Sequence, residues 1–488
     1  MGDNRMSSSI LVSLLIVAIV LAGVFGVGGK AAAQNPAGFT FADSMSNERA
    51  YHAATTLADG RVLITGGADG FFPLNTAEVY DPTTDQFNPT GVMAEGRFGH
   101  RSTLLADGRV LVTGGQTEND RFIDNAEVYD PATGEFSAVE PMSVGRAQHS
   151  STLLPDGTVL IAGGFSNRFK FLDSAELFDP ATSVFIETGS LSKARSHHRA
   201  TLLPDGAVLL SGGFTDGATL SILTVYDPAQ GTFADKGNMA EERATHTAAL
   251  LTDGRVLLAG GVGAETQART AETPLNNAEL YDPASGELEF VPRGMLPRSW
   301  HSATLLTDGH VLIAGGAASG SGVYGIAGLY NPEKNRFSLG ESMAVPRNSH
   351  TASVLHDGSV LLVGGLIKGQ RFTASAELYT PDVEAPTKTP VPVVPTETPV
   401  PATPTPAPTP AATATATPTP APAPTTLARA LPAAEPTAPP TIVEPTPNAT
   451  PVSGGTCSAS GHGVEAAHLA LMLLPVGLAT RAVRRRHN

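Results

Sequence analysis

The 488-residue chain contains one cysteine, Cys457, so it can form no intramolecular disulfide. It has one tryptophan, and aromatic residues make up only 6% of the chain. Basic residues are also short: 31 Lys and Arg stand against 46 Asp and Glu, for a net charge of −15. That balance, without a basic patch, excludes a nucleic-acid partner. Helical periodicity is missing throughout residues 34–382. This stretch must therefore hold together through an apolar core built from strands, without covalent staples.

What is present is a unit of about 49 residues that recurs seven times. Each copy opens on Arg-x-x-His, passes through Asp-Gly to a Gly-Gly pair and continues to an aromatic-Asp-Pro type of turn. The Arg and His fall at Arg49/His52, Arg97/His100, Arg146/His149, Arg195/His198, Arg243/His246, Arg298/His301 and Arg347/His350. A unit this short cannot bury its own apolar face and has to stack on its neighbours. In residues 97–142, the segment His100–Leu105 is short and half apolar, and Ala106-Asp107-Gly108 is a tight turn. Val110-Leu-Val-Thr113 is a β-branched run that stops at Gly114-Gly115, and Ala126-Glu-Val-Tyr129 alternates again. Asp130-Pro131 opens a second turn, and a fourth strand runs from Phe136 to Met142. Four short strands joined by hairpins make one blade of a propeller.

The repeat resembles the kelch motif across residues 39–381, with the Gly-Gly doublet ending the second strand and an aromatic in the third. The tryptophan usual in the fourth strand of that family is replaced by Phe87, Phe136, Phe185, Phe233 and Phe337, or by Leu288. The form Leu-x-Asp-Gly-x-Val-Leu is similar to bacterial kelch-like sequences. The expected fold is all-β: a seven-bladed kelch-type β-propeller of four-stranded antiparallel blades. The seventh unit lacks its fourth strand. The orphan segment Phe39–Met45, with the same Phe-to-Met gap as Phe87–Met93, is expected to pair beside residues 374–379 and lock the ring.

Composition divides the remainder. Residues 1–33, with Arg5, the apolar run Ile10–Val27 and Ala31-Ala32-Ala33, read as a signal peptide or an uncleaved anchor. Residues 383–455 are rich in Pro, Thr and Ala and cannot bury enough apolar area to fold, which implies a disordered, extended stalk. Residues 456–488 carry Cys457, the apolar run Ala466–Ala479 and an Arg cluster ending at Arg486. This segment resembles a C-terminal sorting tail, with Cys457 as the sorting or lipidation candidate; a plain membrane anchor is the alternative. The expected location is the cell surface or envelope, with the propeller outside and the Arg cluster inside.

The Asp-Gly and Asp-Pro turns share one face of such a ring and hardly vary. The opposite face carries the residue before each His and the loops after each Gly-Gly, and these differ between units. Variable positions on a constant scaffold are where recognition is expected. The candidate ligand-binding residues are Tyr51, Gln148, His197, Thr245 and Trp300, which precede a His, and Arg121, Arg168, Tyr324 and Arg371 from the loops. Aromatic faces with polar partners suit a sugar ring or a peptide. A residue present in all seven units is expected to serve the fold instead, for example by bonding backbone across a blade junction. No catalytic residue, metal ligand or cofactor is therefore assigned.

The resulting expectation is a binding module for a glycan or protein at the cell surface, attached to a membrane through its tail. The alternative is a carbohydrate-active enzyme of the kelch type, an epimerase or an oxidase-like protein. The resemblance extends to galactose-oxidase-like propellers, whose copper site needs a Cys cross-linked to Tyr, and the only Cys here lies outside the ring.

Overall fold

A computed structural model describes residues 38–382, apart from 71, 168–169, 217, 265–273, 293 and 320–321. The expected signal peptide, stalk and tail, with Cys457, lie outside the described residues, as does Arg168.

Seven four-stranded antiparallel sheets stand around a common axis. In blade two the strands are Arg101–Leu104, Val110–Thr113, Ala126–Asp130 and Glu135–Val139, in spatial as in chain order. The first strand of each blade lies innermost against the first strands of its two neighbours. Blade one (Ala53–Thr56) meets blade seven (Thr351–Val354), so the ring is closed.

The core lies between blades. Every second strand is buried along its whole length, because both of its faces are covered by sheets. Alternate side chains point to opposite faces. In blade three, Val159 and Ile161 pack with Leu111 and Val128 of blade two, whereas Leu160 and Ala162 pack with Val208 and Leu210 of blade four. This explains why these strands read as continuous apolar runs rather than alternating ones.

Outer strands are held by one recurring pair. Tyr80 faces Phe87 across the third and fourth strands, with ring centroids 4.9 Å apart. The same register joins Tyr129 to Phe136, Phe178 to Phe185, Tyr226 to Phe233 and Tyr330 to Phe337, and pairs Tyr281 with Leu288. In blade seven Tyr379 finds Phe39 instead, at 5.0 Å. The segment Gly38–Ala42 is thus the fourth strand of the last blade, running antiparallel to Ala376–Thr380 as expected.

The repeated Arg is the largest side chain fully buried in each blade. In blade two, Nη1 of Arg97 donates to the Gly114 carbonyl at 3.0 Å, and Nη2 donates to Glu127 Oε1 at 2.7 Å. The second carboxylate oxygen accepts the Ala94 N–H at 3.0 Å, which fixes the chain entering the blade. Blades one, three, five and seven repeat the ion pair with Glu78, Glu176, Glu279 and Glu377. Blade four has Thr224 there, and its hydroxyl relays Arg195 to Asp235. Blade six has Gly328, and Arg298 donates to the carbonyls of Ile313, Gly315 and Ile326 while lying 5.0 Å over the Tyr324 ring. Burial pushes both of these guanidiniums down to about 10.

Removing one partner of a buried pair leaves an uncompensated charge. Glu127→Ala is accordingly expected to cost about 3–5 kcal/mol in guanidinium unfolding. A loss below about 1 kcal/mol would show that carbonyls alone satisfy Arg97.

The repeated His crosses the blade junctions, but its partner is a hydroxyl rather than the backbone expected. His149 Nε2 lies 2.9 Å from Thr113 Oγ1, and His198 Nε2 lies 3.0 Å from Ser150 Oγ. The backbone link across each junction is made by the second Gly of the pair, whose N–H donates to the next Arg carbonyl. Gly115 reaches Arg146, and Gly365 reaches Arg49 to close the ring. Gly114 (φ +61°) and Gly115 (φ +106°) are both left-handed, and a Cβ on Gly114 would stand 2.2 Å from the Arg146 carbonyl. Only a glycine pair permits that approach.

Candidate functional site

The residue before each His occupies the mouth of the axial channel. Tyr51, Gly99, Gln148, His197, Thr245, Trp300 and Ser349 all have left-handed backbones, with φ between 52° and 65°. This geometry turns each N–H toward the preceding blade. Gly99 N donates to Tyr51 O at 2.9 Å, Gln148 N to Gly99 O at 2.9 Å, and so on round to Tyr51 N and Ser349 O at 3.4 Å. Seven backbone hydrogen bonds form a closed hoop. Glycine is the residue that adopts such a backbone without strain, yet only Gly99 is glycine. A β-branched residue such as Thr245 is an outlier there. The strain at six positions, of order 1 kcal/mol or more each, is the kind that persists where a side chain is wanted.

Those side chains enclose an axial cavity of about 180 Å³. Tyr51, Gln148, His197, Thr245 and Trp300 all line it, as do Ser349 and the innermost ends of the first strands. Trp300 of blade six spans the mouth. Its ring lies 6.0 Å from that of Tyr51 in blade one and 5.3 Å from that of His197 in blade four, edge-on to both. His197 also stacks on Phe165 at 5.6 Å, and its Nδ1 is 2.9 Å from Ser196 Oγ. Burial, reinforced by Arg101 and Arg199, holds His197 down to about 3, so the ring is neutral. Burial also pushes the Tyr51 phenol up to about 12, against a smaller opposing hydrogen bond with Ser349.

The loop residues are placed elsewhere. Arg121 pairs with Glu95 at 2.5 Å on an exposed rim, and Tyr324 packs on Arg298. Arg371 is exposed on the short strand Arg371–Phe372. None of the three lines the cavity.

Besides Thr351, the sequence did not point to the two arginines of the lining, Arg101 and Arg199. They follow the His, one pleat deeper than the hoop. Arg101 Nε donates to the His149 carbonyl at 2.7 Å, and Arg199 Nε donates to the His246 carbonyl. Burial, and then Arg199, push Arg101 down to about 10; burial likewise lowers Arg199. The usable signal was the chemistry of this column: Ala53, Ser150, Thr247, Ser302 and Thr351 are small and neutral, and only blades two and four carry a charge there.

Comparison with known proteins agrees with the architecture. A family model described as the kelch motif matches residues 49–90 and 97–143, the first two blades. No curated protein matches the chain in sequence. Among solved structures it is similar to a fungal alcohol oxidase of the AA5 family in complex with copper, at 18% identity. That match covers 71% of this chain and 77% of the oxidase, with a TM-score of 0.59, a likeness of fold. The chain is a seven-bladed β-propeller whose first two blades match the kelch motif and whose fold is similar to that of the AA5 oxidase.

Proposed function

We propose that this propeller is a binding module, exported and held at the cell surface, whose axial cavity takes a group of a glycan or protein ligand. The observation that carries this reading is the convergence of five variable residues, from five different blades, on one cavity at strained backbone positions. Their side chains do nothing for the hoop, which is made of backbone alone. Aromatic edges beside amide, hydroxyl and imidazole groups supply the mixed surface that recognition sites use.

Copper chemistry of the kind named for the AA5 oxidase does not transfer. The cavity lining offers imidazoles from separate blades, whose Nε2 atoms are bonded to hydroxyls at His52, His301 and His350. It offers no thiol or carboxylate, and two guanidiniums oppose a cation. Among the described residues no three of His, Cys, Asp and Glu are grouped to hold a metal.

Trp300 is the only tryptophan and lines the cavity, so its fluorescence reports occupancy. Titration with cell-wall glycans, soluble sugars and surface peptides is expected to give a saturable shift. Gln148→Ala or Tyr51→Ala should weaken it at least tenfold. A Trp300 signal indifferent to the whole panel, in a folded protein, would remove the binding reading.

A further inference from the structure

We infer that the axial cavity is an oxyanion site, in which Arg101 and Arg199 together hold the carboxylate or sulfate group of an acidic sugar. The inference rests on the binding reading above and specifies its ligand.

A hydroxyl bonds each repeated His across a blade junction. In four junctions it comes from the residue after the preceding blade's own His: Thr351 for His52, Ser150 for His198, Thr247 for His301 and Ser302 for His350. In the other three that residue is Ala53, Arg101 or Arg199, and the hydroxyl comes from the end of the second strand instead. Thr65 serves His100, Thr113 serves His149 and Ser211 serves His246. Where the first position keeps its hydroxyl, the second-strand end is Ala162, Ala259, Ala314 or Val363. The two positions exchange the hydroxyl as a pair. The exchange satisfies the His either way, so it has no use for the junction. Its consequence is that the channel-facing position is released in blades one, two and four. Blades two and four use the release to bring a guanidinium to the axis, and blade one leaves a methyl, which makes room.

The two guanidiniums, partly exposed to the cavity, are also unlike the fully buried arginines of the ring. In the repeated Arg residues the Nη groups are taken by carboxylates, carbonyls or hydroxyls of their own blade. Among the described residues, Arg101 and Arg199 have no carboxylate in reach, and the lining contains none. Each is anchored through Nε to a backbone carbonyl, and at Arg199 no acceptor among the described residues takes either Nη. Two like charges that share a small cavity inside a chain of net charge −15 are unfavourable together until an anion joins them. Guanidinium forks match carboxylate and sulfate oxygens. A sugar fits better than a peptide. The cavity lies below the ~300 Å³ at which drug-sized ligand pockets begin, so it admits one ring-sized group. Trp300 and Tyr51 wall it with aromatic surface.

The test uses the full chain at constant ionic strength, with calorimetry and Trp300 fluorescence. The probes are glucuronate, glucose 6-sulfate, glucose and a Glu-rich peptide. Both acidic sugars are expected to bind at least tenfold tighter than glucose and to raise Tm, as a ligand specific for the native state does. Arg101→Gln and Arg199→Gln should each reduce that preference, and the double variant should abolish it. The ratio of glucuronate to glucose 6-sulfate separates the two oxyanions. Glucose binding as tightly as glucuronate would overturn the oxyanion site and leave the binding module intact. Preference for the acidic peptide over both acidic sugars would overturn the sugar. Binding of neutral glycans alone would overturn the inference, and silence from every glycan and peptide would remove the binding reading as well. Should the glutamine variants not fold, the wild-type ratio of acidic sugar to glucose decides by itself.

Discussion

Acidification from pH 7 to pH 5 is expected to unfold the whole propeller in one cooperative step. Eight imidazoles in the ring are neutral in the native state. Seven of them are buried, and His350 is partly so. Loss of water is the first cause, and the neighbouring arginines add to it. His197 and His350 are held down to about 3, and His52, His100, His149, His198, His246 and His301 well below their ordinary value. Protonation in place would add a second N–H. In the seven repeated histidines Nδ1 has no hydrogen-bond partner among the described residues, so that proton would be buried unsatisfied. In the unfolded chain each imidazole takes a proton near its ordinary value of about 6.5. Below that pH the unfolded state binds more protons, so this contribution is whole above about 6.5 and is lost as pH falls toward the native values. Each group removes up to about 1.4 kcal/mol per pH unit, and eight together on the order of 10. That equals the full stability of a typical domain, about 5–15 kcal/mol. Far-UV circular dichroism and Trp300 fluorescence across the range should change together, with a midpoint between pH 5 and 6. A native signal that persists to pH 4 would contradict the neutral-histidine account.

The blade count, the four strands of each blade and the hoop position were legible because a stacked unit repeats its needs at a constant spacing. The Gly-Gly pair recurs because the first glycine must clear the next Arg carbonyl and the second the chain around its own blade's His, and the Asp-Gly turn because Asp107 Oδ1 accepts the Arg109 N–H. The partner of the repeated Arg was not legible. Glu127 lies 30 residues from Arg97, and the two meet only through the register of the second and third strands. Nor was the exchange of hydroxyls between Thr113 and Ser150 positions, since each residue taken alone is an ordinary strand threonine or serine. Arg121 and Arg371, grouped with the site by composition, separated from it because one pairs with Glu95 on the rim and the other is exposed on a short strand, while the cavity is lined by the hoop residues and the starts of the first strands. Arg101 and Arg199 escaped notice for a related reason. The residue before each His is left-handed and the residue after it opens the strand, so no single period in the sequence links the two, although both line the cavity.

The second large effect is expected from the opposite edge of the ring. Deletion of residues 38–45 should prevent stable folding of all seven blades, not of the seventh alone. The segment supplies the outer strand to Ala376–Thr380 and the aromatic partner of Tyr379. It also ends on Met45, whose N–H donates to the Ala374 carbonyl at 3.0 Å. Met45 is buried with Val62, Ile64, Leu361 and Val363, in the apolar layer between blades seven and one. Its loss therefore opens that layer as well as exposing a strand edge. A ring differs here from a linear stack: every blade has two neighbours only while the closure holds, and one open junction exposes two apolar faces. Closure depends on the same few contacts found at every junction, His52 to Thr351, Gly365 to the Arg49 carbonyl and Tyr51 to Ser349. The N-terminal strand binds blade seven to the chain that leads directly into blade one. Met45→Ala should already cost about 2–5 kcal/mol. In the deleted chain, thermal unfolding should lose its cooperative transition. If the transition survives within a few degrees of the full chain, the inner-strand junction closes the ring by itself and the clasp is an ornament of the outer edge.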